Sequence, residues 1–218
     1  MVEVSASLLN VEKENATRTF YDLETAKINY FHIDVMDGKF VENNTEDRMK
    51  DFSLTISHIS NLGLDVHFMT QDVEKYIEEY SVFEPKIMTF HIESTKNEER
   101  TKKVINEIKN IGSRVGIAIS PETSIEGIKP YLPFIHMVLV MTVIPGKGGQ
   151  KLIPETIEKV KELKEYIDSN NIEIDIEVDG GINEETARIC KEAGANIIVA
   201  GVYLVKSENM KMAVKALK

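Results

Sequence analysis

The 218-residue sequence has little of what marks an exported or membrane protein. Its single cysteine, Cys190, excludes an internal disulfide framework and fits a reducing compartment. No run approaches the roughly 20 apolar residues that a transmembrane helix needs. The first residues show neither the basic region nor the apolar core of an export signal. We therefore expect a cytoplasmic protein with no membrane partner.

Excess positive charge is also missing, since the net charge is −10. Nucleic acids and anionic membranes need a clustered basic surface, so neither is an expected partner. A small anionic substrate needs only a local site and stays open. Hydrophobic residues make up 42% of the chain, enough for one large core at a length where α/β barrels remain a single domain. We expect one domain over residues 1–218.

Strand and helix patterns alternate along the whole chain. Strands are predicted at 3–8, 30–36, 64–69, 86–93, 114–119, 136–142, 173–179 and 196–200. Helices are predicted at 12–28, 45–61, 71–80, 97–111, 124–131, 154–169, 183–193 and 207–217, with Gly63, Gly112 and Gly194 ending three of them. Eight strand–helix units in this length predict an α/β fold, a (β/α)₈ TIM barrel.

Several strands carry two unlike faces, as the second strand shows. It places Phe31, Ile33 and Val35 on one face and His32, Asp34 and Met36 on the other. The other polar faces carry Ser5 and Ser7, Asp65 and His67, His91 and Glu93, and Glu177 and Asp179. Water would explain one such face in an antiparallel sheet, but strands flanked by helices are parallel and covered. A doubly wound open sheet is the second choice, because its strands are normally apolar on both faces. We expect these polar residues to point into the barrel and Asp37, of the other parity, to have a structural role in the turn.

Four of the inward-facing residues could bind a metal. His32, Asp34, His67 and Asp179 lie near the carboxyl ends of three strands, where the active sites of such barrels form. Together they could hold one divalent cation, and mixed nitrogen and oxygen ligands suit Zn²⁺, Fe²⁺, Mn²⁺ or Co²⁺. For a single histidine, burial with a hydrogen bond would be the simpler explanation, but the repeated geometry favours a site.

Glycines cluster in the loops after the last three strands. They are Gly146, Gly148 and Gly149 after strand six, Gly180 and Gly181 after strand seven, and Gly201 after strand eight. Such loops let backbone N–H groups approach a phosphate closely, although each alone is compatible with an ordinary tight turn. Met36, Met69 and Met141 lie at the same end, where their sulfurs could wall a reaction intermediate or simply fill gaps in the core.

Five stretches of the sequence resemble the ribulose-phosphate 3-epimerase family. They are His32–Gly38, Asp65–Met69, His91–Thr95, Val140–Gln150 and Glu177–Gly181, and they occur in the family's order across the chain. The resemblance implies a TIM barrel of the ribulose-phosphate-binding type. It also implies a divalent metal ion and conversion of D-ribulose 5-phosphate to D-xylulose 5-phosphate.

The resemblance further implies roles for individual residues. Asp34 and Asp179 would be the acid and base on opposite faces of the substrate's C3 atom, and they would bind the metal with His32 and His67. Ser7, His32, His67, the three methionines and Val202 would contact the substrate, and the glycines above would hold its phosphate. Barrels of this family are often homo-oligomers, and the resemblance carries that expectation by analogy alone.

The chain departs from the family pattern in three places. Glu42-Asn43 replaces the usual Pro-Asn and is followed by an unusually polar stretch up to Lys50. Lys147 replaces a bulky hydrophobic residue in the glycine loop. Val202 replaces a serine next to Gly201, so a hydroxyl for the phosphate is missing.

Other functions therefore stay open at this point. D-allulose-6-phosphate 3-epimerase shares nearly all these motifs. A metal-dependent sugar-phosphate decarboxylase or aldolase would need a lysine late on an inward strand face, which the sequence lacks. A non-catalytic phosphosugar-binding barrel would not need both Asp34 and Asp179.

Overall fold

Eight parallel strands close into a barrel in sequence order, and the last strand pairs with the first. The computed structural model describes residues 2–218. The strands are β1 (Glu3–Ser7), β2 (Tyr30–Met36), β3 (Gly63–Met69), β4 (Ile87–His91), β5 (Arg114–Ile119), β6 (Met137–Met141), β7 (Asp175–Asp179) and β8 (Ile197–Ala200). This confirms the predicted TIM barrel.

Helices follow the strands and surround the barrel. They are α1 (Ala16–Thr25), α2 (Glu46–Ile59), α3 (Val73–Ser81), α4 (Ile92–Thr95), α5 (Glu98–Ile111), α6 (Glu155–Ser169), α7 (Glu184–Ala193), α8 (Val202–Val205) and α9 (Met210–Leu217). Short 3₁₀ helices cover Lys13–Asn15, Ile125–Gly127 and Lys129–Phe134. Within residues 2–218, no helix combines the length and the apolar character needed to cross a membrane.

The larger part of the core lies between barrel and helices. Phe20 of α1 packs edge-on against Phe31 of β2 and Phe52 of α2, with ring centroids 5.8 and 5.3 Å away. The barrel interior holds a separate apolar layer of Ile87, Met137 and Ile197 at the amino-terminal end of the strands. The polar residues of the inner faces therefore gather above that layer, toward the carboxyl-terminal mouth.

The predicted fourth strand was too long. β4 ends at His91, and the next residues form the short helix α4, so Glu93 does not lie on an inner strand face. The alternation of Ile92 and Glu93 mimics a strand. Instead, the Glu93 carboxylate reaches sideways to the end of β5, where it accepts a hydrogen bond from the Ser120 N–H group at 2.9 Å.

Helix boundaries also differ from the expectation. Gly112 and Gly194 end α5 and α7 with φ angles of 93° and 118°, as predicted. Gly63 does not end a helix: α2 stops at Ile59, and Gly63 begins β3. The prediction at 12–28 divides into a 3₁₀ turn and α1, and the stretch at 124–131 is 3₁₀ rather than α-helical. The four-residue helix α8 is too short to produce a periodic pattern, and it was missed.

Candidate active site and metal centre

The register of β2 and β3 builds the centre of the site. These strands pair residue by residue, with His32 beside Asp65 and Asp34 beside His67. Since alternate residues of a strand point to the same face, all four side chains enter the barrel together. The side chains of His32, Asp65 and His67 are fully buried, and that of Asp34 is 3% exposed.

Four ligand atoms converge at the mouth of the barrel. Atoms of His32, Asp34, His67 and Asp179 lie within 4.8 Å of one another. Asp34 Oδ1 lies 3.4 Å from both His32 Nε2 and His67 Nδ1, and Asp179 Oδ2 lies 4.0 Å from His67 Nδ1. The four residues predicted as metal ligands thus meet in one cluster.

The donor atoms of this cluster fit a divalent cation. Within residues 2–218, the buried atoms His32 Nε2 and His67 Nδ1 have no hydrogen-bond partner, and both face Asp34. Unsatisfied buried polar atoms are costly, and two converging on one carboxylate need a common partner. Two imidazoles and two carboxylates are a ligand set for a transition metal ion.

His32 is oriented from behind by a carboxylate. Asp65 Oδ2 lies 2.7 Å from His32 Nδ1 and also accepts a hydrogen bond from the Ser5 hydroxyl at 2.8 Å. A carboxylate on one ring nitrogen turns the other nitrogen toward the metal position. Parity along β3 had placed Asp65 inside the barrel, but the sequence did not reveal which ligand it contacts.

Charges in the cluster move the pKa values of the two aspartates apart. Burial opposes ionisation of Asp34, but the adjacent His32 and His67 outweigh it and hold its pKa far below the usual range. Burial and the charge of Asp34 raise the pKa of Asp179 to about 7. Before a cation binds, Asp34 is therefore an ionised base, and Asp179 holds a proton until near-neutral pH.

The other buried groups respond to the same charges. Burial opposes the charge on His32, but Asp65 and Asp34 raise the pKa of its imidazole well above the usual range. Glu177 lies deeper, and burial together with the charge of Asp65 raises its pKa well above the usual range. Glu177 is therefore a neutral acid that adds no charge beneath the cluster.

A cavity of about 910 Å³ opens above the cluster. Thirteen of the predicted site residues take part in its lining: Ser7, Asp34, Met36, Met69, Met141, Gly146, Gly148, Gly149, Asp179, Gly180, Gly181, Gly201 and Val202. His32 and His67 are the predicted site residues that lie below it. The structure therefore brings the catalytic, glycine and methionine predictions to one mouth.

Asp37 lies outside this cavity and organises the turn after β2. One of its carboxylate oxygens accepts hydrogen bonds from the N–H groups of Lys39 and Phe40, and the other accepts one from Gln71 at 2.7 Å. This matches the structural role expected from its parity. Beyond the turn, Asn43 donates to the Gly146 carbonyl at 3.3 Å, so the polar 42–50 stretch touches the glycine loop.

Known proteins resemble this chain over nearly its whole length. Residues 3–205 match the model of the "Ribulose-phosphate 3 epimerase family". Ribulose-phosphate 3-epimerase of Methanocaldococcus jannaschii is 36% identical over 218 residues, covering 100% of this chain and 90% of that protein. The enzyme of the same name from Chlamydia muridarum is 39% identical over 198 residues, covering 90% of this chain and 85% of that protein.

Solved structures resemble the fold at low sequence identity. The crystal structure of KGPDC from Streptococcus mutans has a TM-score of 0.72 at 11% identity, covering 100% of this chain and 96% of that one. A 3-hexulose-6-phosphate synthase reaches 0.71 at 10% identity, covering 99% and 97%. At these identities the solved structures show a shared barrel fold alone. The sequences of the two epimerases above are much more similar to this chain. The chain belongs to the ribulose-phosphate 3-epimerase family.

Proposed function

We propose that this protein is a ribulose-phosphate 3-epimerase, which inverts C3 of D-ribulose 5-phosphate to give D-xylulose 5-phosphate. The observation that carries the proposal is the convergence of Asp34 and Asp179 with two buried imidazole nitrogens beneath an open cavity. The chain's membership of the epimerase family supports the same activity.

His32, Asp34, His67 and Asp179 would hold one divalent cation, with Zn²⁺, Fe²⁺, Mn²⁺ and Co²⁺ all compatible with this ligand set. When bound, the cation supplies a Lewis acid that stabilises negative charge as it develops on the oxygens of a ketose. The residues beside it must then move a proton. Ser7 positions the carboxylate of Asp34, because its hydroxyl donates a hydrogen bond to Asp34 Oδ2 at 2.8 Å.

Inversion requires a base on one face of C3 and an acid on the other. Asp34 comes from β2 and Asp179 from β7, which are not neighbours in the barrel. Approaching from different sides of the barrel, one of these two aspartates would remove the proton from C3 and the other would return one to the opposite face. In the reverse reaction the roles exchange.

Three methionines would keep water and other proton donors away from C3 during the proton transfer. Met36, Met69 and Met141 line the cavity while each is at most 2% exposed. A thioether donates no proton, so the methionine side chains would shield an enediolate intermediate from water. Filling gaps in the core is compatible with the same positions.

The glycine loops would bind the phosphate through backbone N–H groups. A Cβ atom on Gly181 would lie 2.2 Å from the Leu152 nitrogen, so only glycine allows these two loops to approach. Val202 follows Gly201 at the same rim and offers no hydroxyl. Backbone groups would therefore carry the recognition of the phosphate.

The other enzyme classes have less support. In residues 2–218, none of the eight strands contains a lysine; Lys147, Lys151 and Lys161 reach the cavity from the loop after β6 and from α6. This disfavours a decarboxylase or aldolase that needs a strand lysine. Since Val202 alters the phosphate end, D-allulose 6-phosphate remains the second candidate substrate.

Incubation with ribulose 5-phosphate in deuterated water tests the proposal. We expect xylulose 5-phosphate with solvent deuterium at C3, and a higher kcat/KM than for allulose 6-phosphate. A higher value for allulose 6-phosphate would identify the second substrate instead. Binding without exchange would identify a non-catalytic phosphosugar-binding barrel.

We further propose a cytoplasmic enzyme that works without nucleic acid or membrane partners and forms a homo-oligomer. Cys190, the single cysteine, is fully buried and fits the reducing environment of the cytoplasm. The net charge of −10 argues against binding to nucleic acids or anionic membranes. Light scattering at several protein concentrations tests the homo-oligomer, and a constant monomer mass would contradict it.

A further inference from the structure

A row of side chains leads from the metal-ligand cluster to the outer edge of the mouth. His67 Nε2 lies 2.9 Å from His91 Nε2, and His91 Nδ1 lies 3.1 Å from Glu93 Oε2. Both histidines are fully buried, whereas the Glu93 side chain is 28% exposed. We name His67, His91 and Glu93 the histidine relay.

The outer end of the relay is held as a hydrogen-bond acceptor. Glu93 Oε1 accepts from the Ser120 N–H group at 2.9 Å and from the Thr123 hydroxyl. A backbone N–H can only donate, so this oxygen must accept. Lys159 of α6 donates to the carbonyls of Ser120 and Pro121 at 2.9 and 2.8 Å, which fixes this turn beside Glu93.

The positions of the ring protons on His91 and His67 follow from the charge of Glu93. Burial opposes ionisation of Glu93, but His91 and the hydrogen bonds from Thr123 and Ser120 lower its pKa to about 2. The ionised carboxylate only accepts, so His91 carries its proton on Nδ1. A neutral imidazole has one donor and one acceptor, which leaves a lone pair on His91 Nε2. Since the two Nε2 atoms are 2.9 Å apart, His67 must be the donor between them. The lone pair of His67 is then on Nδ1, 3.4 Å from Asp34 Oδ1.

We propose that His91 and Glu93 are positioning residues that fix the tautomer of His67, so that Nδ1 rather than Nε2 is its ligand atom. The opposite tautomer would place an N–H group on Nδ1, pointing at Asp34 and blocking the cation. Deepening the proposed function in this way, the inference rests on the metal site proposed above.

Phe40 encloses the relay from the mouth. Its ring centroid lies 4.9 Å from that of His91, whose other neighbour is the His67 ring at 5.0 Å. Both rings are fully buried, so the two Nε2 atoms have each other as partners and His91 Nδ1 has Glu93. The outer carboxylate therefore sets the tautomer of His91, and His91 sets that of His67. The turn that carries Phe40 is the one that Asp37 organises.

Proton-detected ¹⁵N spectra of histidine-labelled, metal-free protein test the tautomer directly. We expect a proton on Nε2 of His67 in the wild type, with the signal assigned through His67→Gln. In Glu93→Gln the amide NH₂ would face His91 while its oxygen keeps the Ser120 bond, and the proton of His67 should move to Nδ1. An unchanged tautomer in Glu93→Gln would overturn the proposal, and this readout does not depend on metal binding or turnover.

Zn²⁺ affinity, measured by competition with a chelator, tests the consequence. Glu93→Gln should weaken binding by about 10- to 100-fold, the usual effect of losing such a partner. Glu122→Gln, an exposed carboxylate in the loop after β5, is the matched control and should have no effect.

Rescue separates positioning from packing. Adding His91→Gln to Glu93→Gln supplies an amide oxygen for the N–H group of His67 and should restore most of the affinity. If the double variant binds Zn²⁺ more weakly than Glu93→Gln, the residues act through packing and the proposal fails. Should Glu93→Gln not fold, the pair His91→Gln and His91→Leu decides: we expect only the leucine variant to lose affinity, and equal losses would overturn the proposal.

Discussion

The Asp65 carboxylate lies 2.7 Å from Nδ1 of His32, on the opposite side of the ring from Asp34. It accepts the ring proton of His32 and leaves Nε2 to face the cluster. The two candidate metal-binding histidines would thus use different nitrogens, because their supporting groups approach from different directions.

Asp65→Asn should therefore weaken Zn²⁺ binding by about 10- to 100-fold. An asparagine amide can donate to His32 Nδ1 and favour the proton on Nε2, where the metal would bind. Competition with a chelator measures the affinity. Ser5→Ala removes the other hydrogen bond to the same oxygen but keeps the carboxylate, so its effect should be smaller. Wild-type affinity in Asp65→Asn would contradict this role.

Asp34→Asn and Asp179→Asn should each lower kcat by at least about 100-fold, since each removes a proton-transferring group. Metal content must be measured alongside, because both residues are candidate ligands. Asp175→Asn is the matched control: it lies at the opposite end of β7, where Asp175 pairs with Arg114. That variant should lose stability to urea but keep its kcat. Near-normal turnover in Asp34→Asn or Asp179→Asn would refute the role of that residue.

Metal affinity should rise with pH. A cation needs deprotonated ligands, whereas Asp179 holds a proton up to about pH 7 and the pKa of His32 is raised. Below pH 7 both Asp179 and His32 must release a proton when the cation binds. Above pH 7 Asp179 is already deprotonated, so the plot of metal affinity against pH becomes less steep. Calorimetry in buffers of different ionisation enthalpy counts the protons. At pH 6, Asp179→Asn should release about one proton fewer than the wild type, and equal release would exclude this titration.

Val202→Ser should improve binding of the phosphate. A new hydrogen bond contributes about 0.5–1.5 kcal/mol, so KM for the sugar phosphate should fall about 2- to 12-fold with little change in kcat. Val202→Ala is the matched control, since it shortens the side chain without adding a hydroxyl. If both variants lower KM equally, space rather than hydrogen bonding limits this end of the cavity.

Residue parity predicted the inner faces well. His32, Asp34 and Met36 alternate along β2, and the parallel register carries the same order to Asp65, His67 and Met69 of β3. These pairs are local in sequence or related by simple strand alternation. Contacts across the barrel, such as Asp179 with His67, needed the additional assumption that the barrel closes.

The histidine relay could not be predicted in this way. Glu93 continues the strand alternation in sequence, yet its backbone is helical and its carboxylate is held by the turn after β5. The tautomers of His67 and His91 depend on hydrogen bonds between β3, β4 and the turn after β5. No regular spacing of residues in the sequence predicts those bonds. The expectation that Gly63 ends a helix was wrong because the glycine has another cause. A Cβ atom at this position would lie 2.2 Å from the Lys86 side chain, a contact that the sequence does not reveal.

The pairing of β2 with β3 also bears on how the chain avoids misfolding. A slip of one residue would turn Asp34 and His32 toward the helices and bring Ile33 and Val35 inside. A barrel with β2 slipped in this way would keep His67 and Asp179 inside but lose the other two candidate ligands. A bound cation would therefore stabilise the correctly registered barrel more than the slipped one, so the candidate metal site would also favour the native register of β2.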